Sequence, residues 1–303
     1  MKDITAKYST LRIASASARV NVSNADTIEA IKNNKVPKGN VLEMSRAAGL
    51  LGIKNTPLIL PDCHPIPIES SEINYAIDQL TITIHVEVKT IYKTGVEVEA
   101  MHGASVVALN IYDMLKPIDK GVYISDIKLE NKKGGKSQYI KDIDPNITAC
   151  VVVCSDSISA GKKEDFAGKA IISELELHKV NVIDYCIIPD NPIEIKNQLQ
   201  KGKEKKVNMI IYTGGTGLSK TDVTPETLAP IIERRIPGVE EAMRSYGQSR
   251  TPYAMLSRSL AGLIDDTLIL SLPGSTKGAK ETMQSIFPSI LHLFHILNGG
   301  KRH

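Results

Sequence analysis

Charged residues flank an apolar stretch in the sequence KTGVEVEAMHGASVVALNIYDMLK, which spans residues 93–116. Asp113 and Lys116 are three positions apart, so a helix would place them on one face. An Asp near the C-terminus of a helix is unfavourable unless a cation partners it, because the helix dipole is negative there. A lysine whose proton affinity is set by a neighbouring carboxylate can act as an acid or a base. The alternative is a local ion pair, worth only a few tenths of a kcal/mol.

Further polar residues interrupt apolar sequence in the same half of the chain. Glu97 and Glu99 share a face if their backbone is extended and point in different directions if it is helical, and the sequence leaves both possibilities open. LPDCHPIPI contains Asp62, Cys63 and His64. One Cys-His pair lacks the other two ligands of a zinc site, so this His is interpreted as structural or as facing a substrate. GGKS, near residue 135, lacks the spacing of a phosphate-binding P-loop and is better described as a mobile lysine-bearing loop.

The second half of the chain contains a glycine-rich sequence of the kind that surrounds phosphates. In IIYTGGTGLSKTDVTPETL, three glycines within five residues allow backbone amides close to a bound group, and Thr213 and Thr216 add hydroxyl groups. A second such loop, LPGST, precedes a predicted helix at about 277–283, whose N-terminus would favour an anion. The alternative for TGGTG taken alone is a tight turn. Thr224 is predicted to cap a helix with Pro225 at its first position.

Acidic residues accompany these loops and would repel a phosphate by themselves. Asp156, Asp190 and Asp222 each follow an apolar run. They are consistent with a divalent cation that bridges them to phosphate, most plausibly Mg²⁺, which prefers oxygen ligands. Ordinary capping and turn roles would explain any one of them but explain all three less well.

The elements that must position these residues differ between the two halves. Before residue 145, DTIEAIKNN, NVLEMSRAAGLLGIKN and the residue 93–116 segment have helical spacing. EINYAIDQLTITIHVEVKTIY alternates apolar and polar residues, and GVYISDIKLEN is one more predicted strand. This pattern predicts an α+β domain in which helices cover one face of an antiparallel sheet.

After residue 145, continuous apolar runs alternate with helical patterns. The runs CVVVCS, VIDYCII, VNMIIYT and TLILSL predict a parallel sheet that is covered on both faces. Ligands bind beyond the carboxyl ends of such strands, which directs attention to SDS, PDNP, TGGTG and PGST. A polar sequence with a Gly pair and a Pro separates the two patterns, and we predict domains at 1–145 and 146–303.

Composition restricts the classes of partner and compartment. The 303 residues carry a formal net charge of +3, and a cut after Pro145 divides it into +1 and +2, so neither half has the basic excess of a nucleic-acid binder. The chain contains neither a signal peptide nor an apolar run of about 18 residues, which predicts a cytoplasmic protein without a membrane anchor. The four cysteines have no metal-ligand spacing and are interpreted mainly as core thiols.

Residues 1 to about 143 resemble the MoaC family of cyclic pyranopterin monophosphate synthases. The motifs that carry the resemblance are DITAK, VPKGNVLEMSRAAGLLGIKNT, LPDCHPIPI, KTGVEVEAMHGASVVALNIYDMLK and ENKKGGKS. It implies a ferredoxin-like fold and the rearrangement of a cyclised GTP derivative to the pterin cyclic phosphate, with loss of pyrophosphate and no obligatory cofactor. It implies that Asp113 and Lys116 are the central acid/base pair. Further catalytic or substrate-binding positions are Arg19, Lys38, Asp62, Cys63, His64, Glu97, Val98, Glu99 and Lys132.

Residues from about 148 to 297 resemble the MogA-like molybdopterin adenylyltransferases. The matching motifs are SDS, GKKEDFAG, IIPDNP, TGGTGLSKTDVTPE, RIPGVEEAMR, AMLSRSLAG and LILSLPGST. The resemblance implies a three-layer α/β sandwich with a mostly parallel sheet, which transfers AMP from Mg-ATP to molybdopterin. It implies that Asp190 and Asp222 serve catalysis and hold Mg²⁺. Implied substrate contacts are Ser155, Asp156, Thr213, Gly214, Gly215, Thr216, Gly217, Gly274, Ser275 and Thr276. Ser157 stands where many relatives have Arg.

Together the resemblances predict a bifunctional enzyme of molybdenum cofactor synthesis that binds pterin and nucleotide substrates. They also imply a homo-oligomer with three-fold symmetry, a trimer or a hexamer, in which the first site is shared between subunits. The alternative is that one half is a pterin- or nucleotide-binding scaffold without catalysis. A Rossmann-type oxidoreductase is disfavoured, because no G-x-G-x-x-G motif follows a strand.

Overall fold

The chain forms two compact units, Met1–Gln138 and Tyr139–His303. The structure is a computed structural model, and it describes residues 1–135 and 146–299. The boundary predicted after Pro145 lies outside the described residues and stays a prediction, as does the character of the lysine-bearing loop beyond Gly135. Within the described residues, no helix is both long and apolar enough to span a membrane.

In its described residues, the first unit is a four-stranded antiparallel sheet with three helices. The strands, in the order β2-β3-β1-β4, are β1 (Thr10–Asn21), β2 (Ser70–Asp78), β3 (Thr81–Tyr92) and β4 (Tyr123–Lys133). The helices are α1 (Ala25–Lys32), α2 (Val41–Ile59) and α3 (Glu97–Leu115). The antiparallel sheet predicted from alternating residues is confirmed. Buried residues of all three helices pack with one face of the sheet in a single core.

The central strand β1 is absent from the sequence patterns described above. Ala14, Ala16 and Ala18 face the core and alternate with Ser15 and Ser17, so the strand has little contrast in hydrophobicity between its faces. The small inward side chains lie where α3 packs across the sheet. This strand therefore forms through tertiary packing and has no strong local pattern from which it could be predicted.

The second unit is a six-stranded, mostly parallel sheet in the order β6-β5-β7-β10-β9-β8. Its strands are β5 (Thr148–Cys154), β6 (Asn181–Ile188), β7 (Met209–Thr213), β8 (Arg234–Arg235), β9 (Leu260–Ile264) and β10 (Thr267–Leu272). Its helices are α4 (Asp156–Ser159), α5 (Ala167–Leu177), α6 (Pro192–Glu204), α7 (Thr224–Leu228), α8 (Pro237–Gln248), α9 (Thr276–Ile286) and α10 (His292–Leu297). Strands β6, β5, β7 and β10 are parallel, and β9 pairs antiparallel with both of its neighbours, β10 and β8.

Helices cover both faces of this sheet and bury a separate apolar core on each. Residues of α5, α8, α9 and α10 contribute to one core, and residues of α6 and α7 contribute to the other. Three of the four continuous apolar runs correspond to strands that are buried on both faces, β5, β7 and β10. The fourth, VIDYCII, forms the edge strand β6, along which exposed and half-buried residues alternate. The carboxyl ends of β5, β6, β7 and β10 lie at one edge of the sheet because these strands are parallel.

Candidate active sites

Asp113 lies between two lysines at the C-terminal end of α3. Its Oδ2 atom is 2.6 Å from the Nζ atom of Lys38, and its Oδ1 atom is 2.7 Å from the Nζ atom of Lys116. Hydrogen bonds from Lys116 and then Lys38 lower the pKa of Asp113 to about 2. The hydrogen bond to Asp113 in turn raises the pKa of Lys116. We call these three residues the Asp113 cluster.

Local structure explains how this cluster forms from distant parts of the sequence. Lys116 is the C-cap residue of α3, so it lies one turn beyond Asp113. Lys38 belongs to the turn before α2, where Asn40 caps the helix by accepting a hydrogen bond from the Glu43 amide at 3.0 Å. Lys38 also donates to the main-chain carbonyl of Asp113 at 2.9 Å. The i,i+3 pair was predictable from spacing, whereas the approach of Lys38 depends on the tertiary fold.

A second group of polar residues lies at the N-terminal end of the same helix. Both glutamates are helical, so they point in different directions. Glu97 Oε1 lies 3.3 Å from Lys132 Nζ. The Glu99 side chain is buried, with 2% relative exposure. Burial raises the pKa of Glu99. Burial, with a smaller contribution from the charge of Glu99, also raises the pKa of the nearby Cys63 thiol. We call Cys63, Glu97, Glu99 and Lys132 the Glu99 cluster.

The remaining predicted residues of the first unit occupy separate positions. His64 Nε2 lies 2.9 Å from the carbonyl oxygen of Lys2, and Asp62 pairs with the Met1 amino group at 2.7 Å. Val98 is exposed on α3. Arg19 is exposed on β1, and the alternation of the strand directs it to the sheet face opposite the helices.

The two clusters are too far apart to contact one substrate molecule within one copy of the chain. Glu99 and Asp113 are fourteen residues apart on one continuous helix, which corresponds to roughly 21 Å along its axis. The structure therefore brings Lys38, Asp113 and Lys116 together at one end and places the Glu99 cluster at the other end.

In the second unit, the carboxyl ends of the parallel strands surround a cavity of about 190 Å³. We call it the sheet-edge cavity. Many of the predicted residues meet there, as the rule for parallel sheets anticipates. Its lining includes Cys154, Ser155, Asp190, Thr213, Gly214, Gly215, Asp222 and Gly274.

Two aspartates are fixed at this cavity by main-chain contacts. The Asp190 amide donates to Asp156 Oδ1 at 3.0 Å, and the Asp156 amide donates to Asp190 Oδ2 at 3.1 Å. Burial raises the pKa of Asp190, and the charges of Asp156 and Asp222 act in the same direction. Asp222 Oδ2 accepts a hydrogen bond from the Ser219 amide at 2.9 Å. The cavity therefore holds several negative charges, which a cation would compensate.

Close contacts explain the glycines of the two loops. Gly214 and Gly215 have φ angles of +98° and +60°, in the region that favours glycine. A Cβ atom on Gly214 would lie 2.1 Å from the carbonyl oxygen of Cys154. Thr213 Oγ1 donates to the carbonyl of Pro273 at 2.8 Å, which joins the two loops. At least one predicted substrate contact, the Thr213 hydroxyl, therefore has a structural partner.

A larger cavity of about 380 Å³ lies beside the same loops and shares Gly274 with the sheet-edge cavity. We call it the outer cavity. Thr216, Gly217 and Ser275 line it, together with side chains that the sequence analysis did not select. Those further lining residues include Met243, Arg244, Thr251, Tyr253, Leu256, Ser257 and Ser259. They come from α8 and from the segment between α8 and β9, where no glycine-rich or acidic pattern indicated a site.

Arg258 is a further residue that motif reasoning missed. Its Nη2 atom donates to the carbonyl oxygens of Asp222, at 2.8 Å, and of Gly217, and its Nη1 atom pairs with Glu226. The guanidinium thus connects both ends of the segment from Gly217 to Asp222. The sequence LSRS that contains it was quoted only as part of a resemblance.

The structure corrects one prediction at this site. Thr224 does not cap α7, because the N-cap residue is Val223 and no side chain makes a capping hydrogen bond. The helix begins one residue earlier than predicted, so Thr224 occupies its first turn and its hydroxyl is directed elsewhere. The predicted helix after LPGST is present as α9, and Ser275 caps it by accepting a hydrogen bond from the Gly278 amide at 3.2 Å.

The residues at the sheet-edge cavity fit a cation that is also held by a substrate. No group of three or more His, Cys, Asp or Glu side chains is placed to hold a metal ion within residues 1–135 and 146–299. Mg²⁺ commonly uses one or two carboxylates and completes its shell with water and substrate phosphates. Asp190 and Asp222 both line the cavity, and Asp190 Oδ1 is buried without a hydrogen-bond partner. This arrangement suits Mg²⁺ bound together with a nucleotide.

Other residues in the second unit have local roles. Ser157 Oγ lies 3.2 Å from Ser155 Oγ, so this position supplies a hydroxyl. Cys150 and Cys154 are buried, as core thiols would be, and both are free.

Comparisons with known proteins match both units. The MoaC family model matches residues 1–135, and the model described as a probable molybdopterin binding domain matches residues 150–292. The cyclic pyranopterin monophosphate synthase of Clostridium perfringens is 46% identical over 139 residues, which are 45% of this chain and 87% of that protein. The crystal structure of the molybdopterin biosynthesis enzyme MoaB from Thermus thermophilus is 36% identical and covers 50% of this chain and 97% of its own, with a TM-score of 0.48.

Two further relatives extend over the whole chain. The molybdenum cofactor biosynthesis bifunctional protein of Chlorobaculum tepidum is 39% identical over 299 residues, which are 99% of this chain and 95% of that protein. The protein of the same name from Synechococcus elongatus is 32% identical over 313 residues, which are 99% of this chain and 98% of that protein. This chain therefore belongs to the family of bifunctional molybdenum cofactor biosynthesis proteins.

Proposed function

We propose that the chain catalyses two steps of molybdenum cofactor synthesis, one in each unit. The first unit converts a cyclised GTP derivative to cyclic pyranopterin monophosphate and releases pyrophosphate. The second transfers AMP from Mg-ATP to molybdopterin. The names of the relatives support both assignments. The observation that carries the first assignment is Asp113 held between Lys38 and Lys116.

In the first unit, Lys116 is the proton donor and acceptor, and Asp113 controls its proton affinity. The carboxylate stabilises the protonated lysine and orients its Nζ atom. Lys38 provides another positive charge close to Asp113, which suits a triphosphate substrate. The buried Glu99 carboxyl keeps its proton to higher pH than an exposed one and can serve as a second acid.

The Asp113 cluster of one copy and the Glu99 cluster of another form one composite site. The outer face of α3 between the clusters exposes Val98, Leu109 and Tyr112, which recur at helical spacing. Such a stripe is suited to burial against a second copy. Two-fold pairing along α3 would place one end of the helix beside the opposite end of its partner. Arg19 is then assigned to the triphosphate, as the resemblance implies.

In the second unit, the sheet-edge cavity holds the reacting phosphates and the outer cavity holds the pterin. When bound, Mg²⁺ would neutralise charge on the ATP phosphates and permit them to lie beside Asp190 and Asp222. The glycine-rich loop exposes backbone amides to phosphate oxygens, and the N-terminus of α9, with Ser275 and Thr276, provides further donors. A phosphate oxygen of molybdopterin attacks the α-phosphorus atom, and pyrophosphate leaves.

The alternative is that one unit binds its ligand without catalysis. The presence of Asp190 and Asp222 beside the glycine-rich loop favours catalysis over a scaffold. Two full-length variants test the assignments separately, and each serves as the folding control for the other. Lys116→Ala should abolish formation of the cyclic phosphate and leave AMP transfer unchanged, and Asp222→Asn should do the reverse. Normal AMP transfer by Asp222→Asn would contradict the role of that residue. Pterin binding without AMP transfer by the unmodified chain would favour the scaffold.

The finer structural assignments also belong to this proposal. The order β4-β1-β3-β2 of antiparallel strands supports a ferredoxin-like class for the first unit. The resemblance supports a cytoplasmic homo-oligomer with three-fold symmetry, a trimer or a hexamer. For the two sequence domains we propose the ranges 1–145 and 146–303, because one family match ends at residue 135 and the other begins at residue 150.

A further inference from the structure

Two buried oxygen atoms beside Gly215 have no oxygen or nitrogen hydrogen-bond partner among the described residues. They are Asp190 Oδ1 and Thr224 Oγ1. A Cβ atom on Gly215 would lie 2.7 Å from the first and 2.4 Å from the second. These distances limit the separation of the two oxygens to at most about 5.1 Å. Both oxygens therefore approach Gly215 in the place that a side chain would take, and we call this place the recess.

Main-chain contacts fix both side chains at this recess. Asp190 Oδ2 accepts a hydrogen bond from the Asp156 amide, which orients the carboxylate and leaves Oδ1 beside Gly215. The Thr224 amide donates to the carbonyl oxygen of Gly215 at 3.1 Å. The hydroxyl of Thr224 does not cap α7. Both oxygens are thus held next to the same residue of the glycine-rich loop.

A purely structural role does not explain the Thr224 hydroxyl. The residue has 0% relative exposure, and burial of a hydroxyl without a partner is unfavourable. Its neighbour is the Cys154 thiol, and a thiol is only a weak hydrogen-bond partner. Valine has nearly the same shape and would avoid this cost. A buried polar atom without a partner often indicates a ligand or ion that the site is built to bind.

We propose, on the basis of the AMP transfer assigned above, that Thr224 Oγ1 and Asp190 Oδ1 are both ligands of the divalent cation. Octahedral Mg²⁺ has oxygen ligands at 2.0–2.1 Å, so any two of them are roughly 3 to 4 Å apart. This range is within the limit set by Gly215. Asp222, which lines the same cavity, is the second carboxylate that the cation requires.

The chemistry of the cavity favours a neutral third ligand. Asp156, Asp190 and Asp222 already concentrate negative charge there, and a further carboxylate would oppose the approach of ATP phosphates. A threonine hydroxyl adds an oxygen ligand without adding charge.

The test compares Thr224→Val, which removes the hydroxyl, with Thr224→Ser, which retains it. Binding of Mn²⁺ to the full chain is measured by electron paramagnetic resonance in the presence of α,β-methylene-ATP, which cannot transfer AMP. The Val variant should bind Mn²⁺ at least about tenfold more weakly, because loss of even an outer partner of a metal ligand has that effect. The Ser variant should remain within about threefold of the unmodified chain.

Thermal unfolding and a third variant control for structural damage. The Val variant should melt no lower than the unmodified chain, because it removes a buried hydroxyl without a partner. Thr224→Ala, which cannot introduce a clash, should show the same loss of Mn²⁺ affinity as Val and keeps the test valid if the Val variant does not fold.

The outcomes separate this inference from the proposed function. The inference would be overturned if the hydroxyl-free variants bound Mn²⁺ as tightly as the unmodified chain. If Asp222→Asn bound Mn²⁺ more weakly in the same experiment, the proposed function would still stand. A Ser variant as weak as Val would also overturn it, because the methyl group rather than the oxygen would then matter. Absence of nucleotide-dependent Mn²⁺ binding by the unmodified chain would refute both.

Discussion

Mixing two inactive variants should restore the first activity if the site is shared between copies. Glu99→Gln removes a buried acid with little change in shape, and Lys116→Ala removes an exposed cation at the other end of α3. The two positions are seventeen residues apart on one helix and its cap, or roughly 26 Å. Each variant alone should lack activity, because every composite site then contains one altered end.

The expected recovery follows from two-fold pairing. Random pairing of equal amounts of the two variants gives mixed pairs in about half of all cases, and one of the two sites in each mixed pair has both ends intact. About a quarter of the normal activity should therefore return. The assay measures pyrophosphate released from the cyclised GTP derivative, after the two full-length variants have been unfolded and refolded together.

A control with both substitutions in one chain makes the experiment decisive. When this double variant is mixed with the unmodified chain, each site of a mixed pair has one altered end and is inactive. Only pairs of two unmodified chains remain active, so a composite site again predicts about a quarter of the normal activity. If each site lay within one chain, this control would keep about half of the normal activity, and the mixture of the two single variants would recover none. That second pair of results would refute the shared site.

Three further predictions concern charge, backbone geometry and assembly. Asp113→Asn should shift the high-pH limb of the pH–rate profile of the first activity to lower pH, because Asp113 raises the pKa of Lys116. Lys54→Ala, which removes an exposed lysine, is the control. An unchanged high-pH limb in Asp113→Asn would contradict the role of Asp113. Gly215→Ala should abolish AMP transfer and destabilise the second unit by at least about 1–2 kcal/mol in chemical denaturation, because the φ angle is +60° and a Cβ atom would contact Asp190 and Thr224. Gly238→Ala, where a Cβ atom meets nothing within 4 Å, is its control, and equal effects of the two would contradict the reasoning. Dilution below the concentration at which copies associate should remove the first activity and spare the second. Both assays are followed together with measurements of particle size, and loss of both activities at the same dilution would show that both sites need assembly.

The predictability of the fold depended on how strongly each element contrasts with its surroundings. The helix α3 and the hairpin of β2 and β3 follow from clear periodicities, and β5, β7 and β10 follow from continuous apolar runs. The central strand β1 does not, because alanines and serines alternate along it. β9 was missed for a different reason. It is short and antiparallel in a mostly parallel sheet, and only its first three residues had been considered, at the end of the motif AMLSRSLAG.

The same distinction between local and distant contacts applies to the sites. Asp113 and Lys116 could be paired from their spacing, but the addition of Lys38 joins residues 75 positions apart. At the sheet-edge cavity, a general rule for parallel sheets was enough to select Asp190 and the glycine-rich loops. It could not select Arg258, whose contacts are with main-chain carbonyls of another segment. A local rule also assigned Thr224 to a capping role that its hydroxyl does not have.

The two units assemble their sites in different ways, and this difference bears on why they occur in one chain. In the second unit, four strand ends of a single copy already surround the cavity. In the first unit, the charged groups lie at opposite ends of α3, so one copy would supply two halves of the proposed composite site. In the pathway that the two resemblances imply, the dithiolene sulfurs are introduced between the two proposed reactions, so direct transfer of a product between the units has no chemical advantage. If oligomerisation completes the first site as proposed, shared assembly symmetry or common expression explains the fusion better.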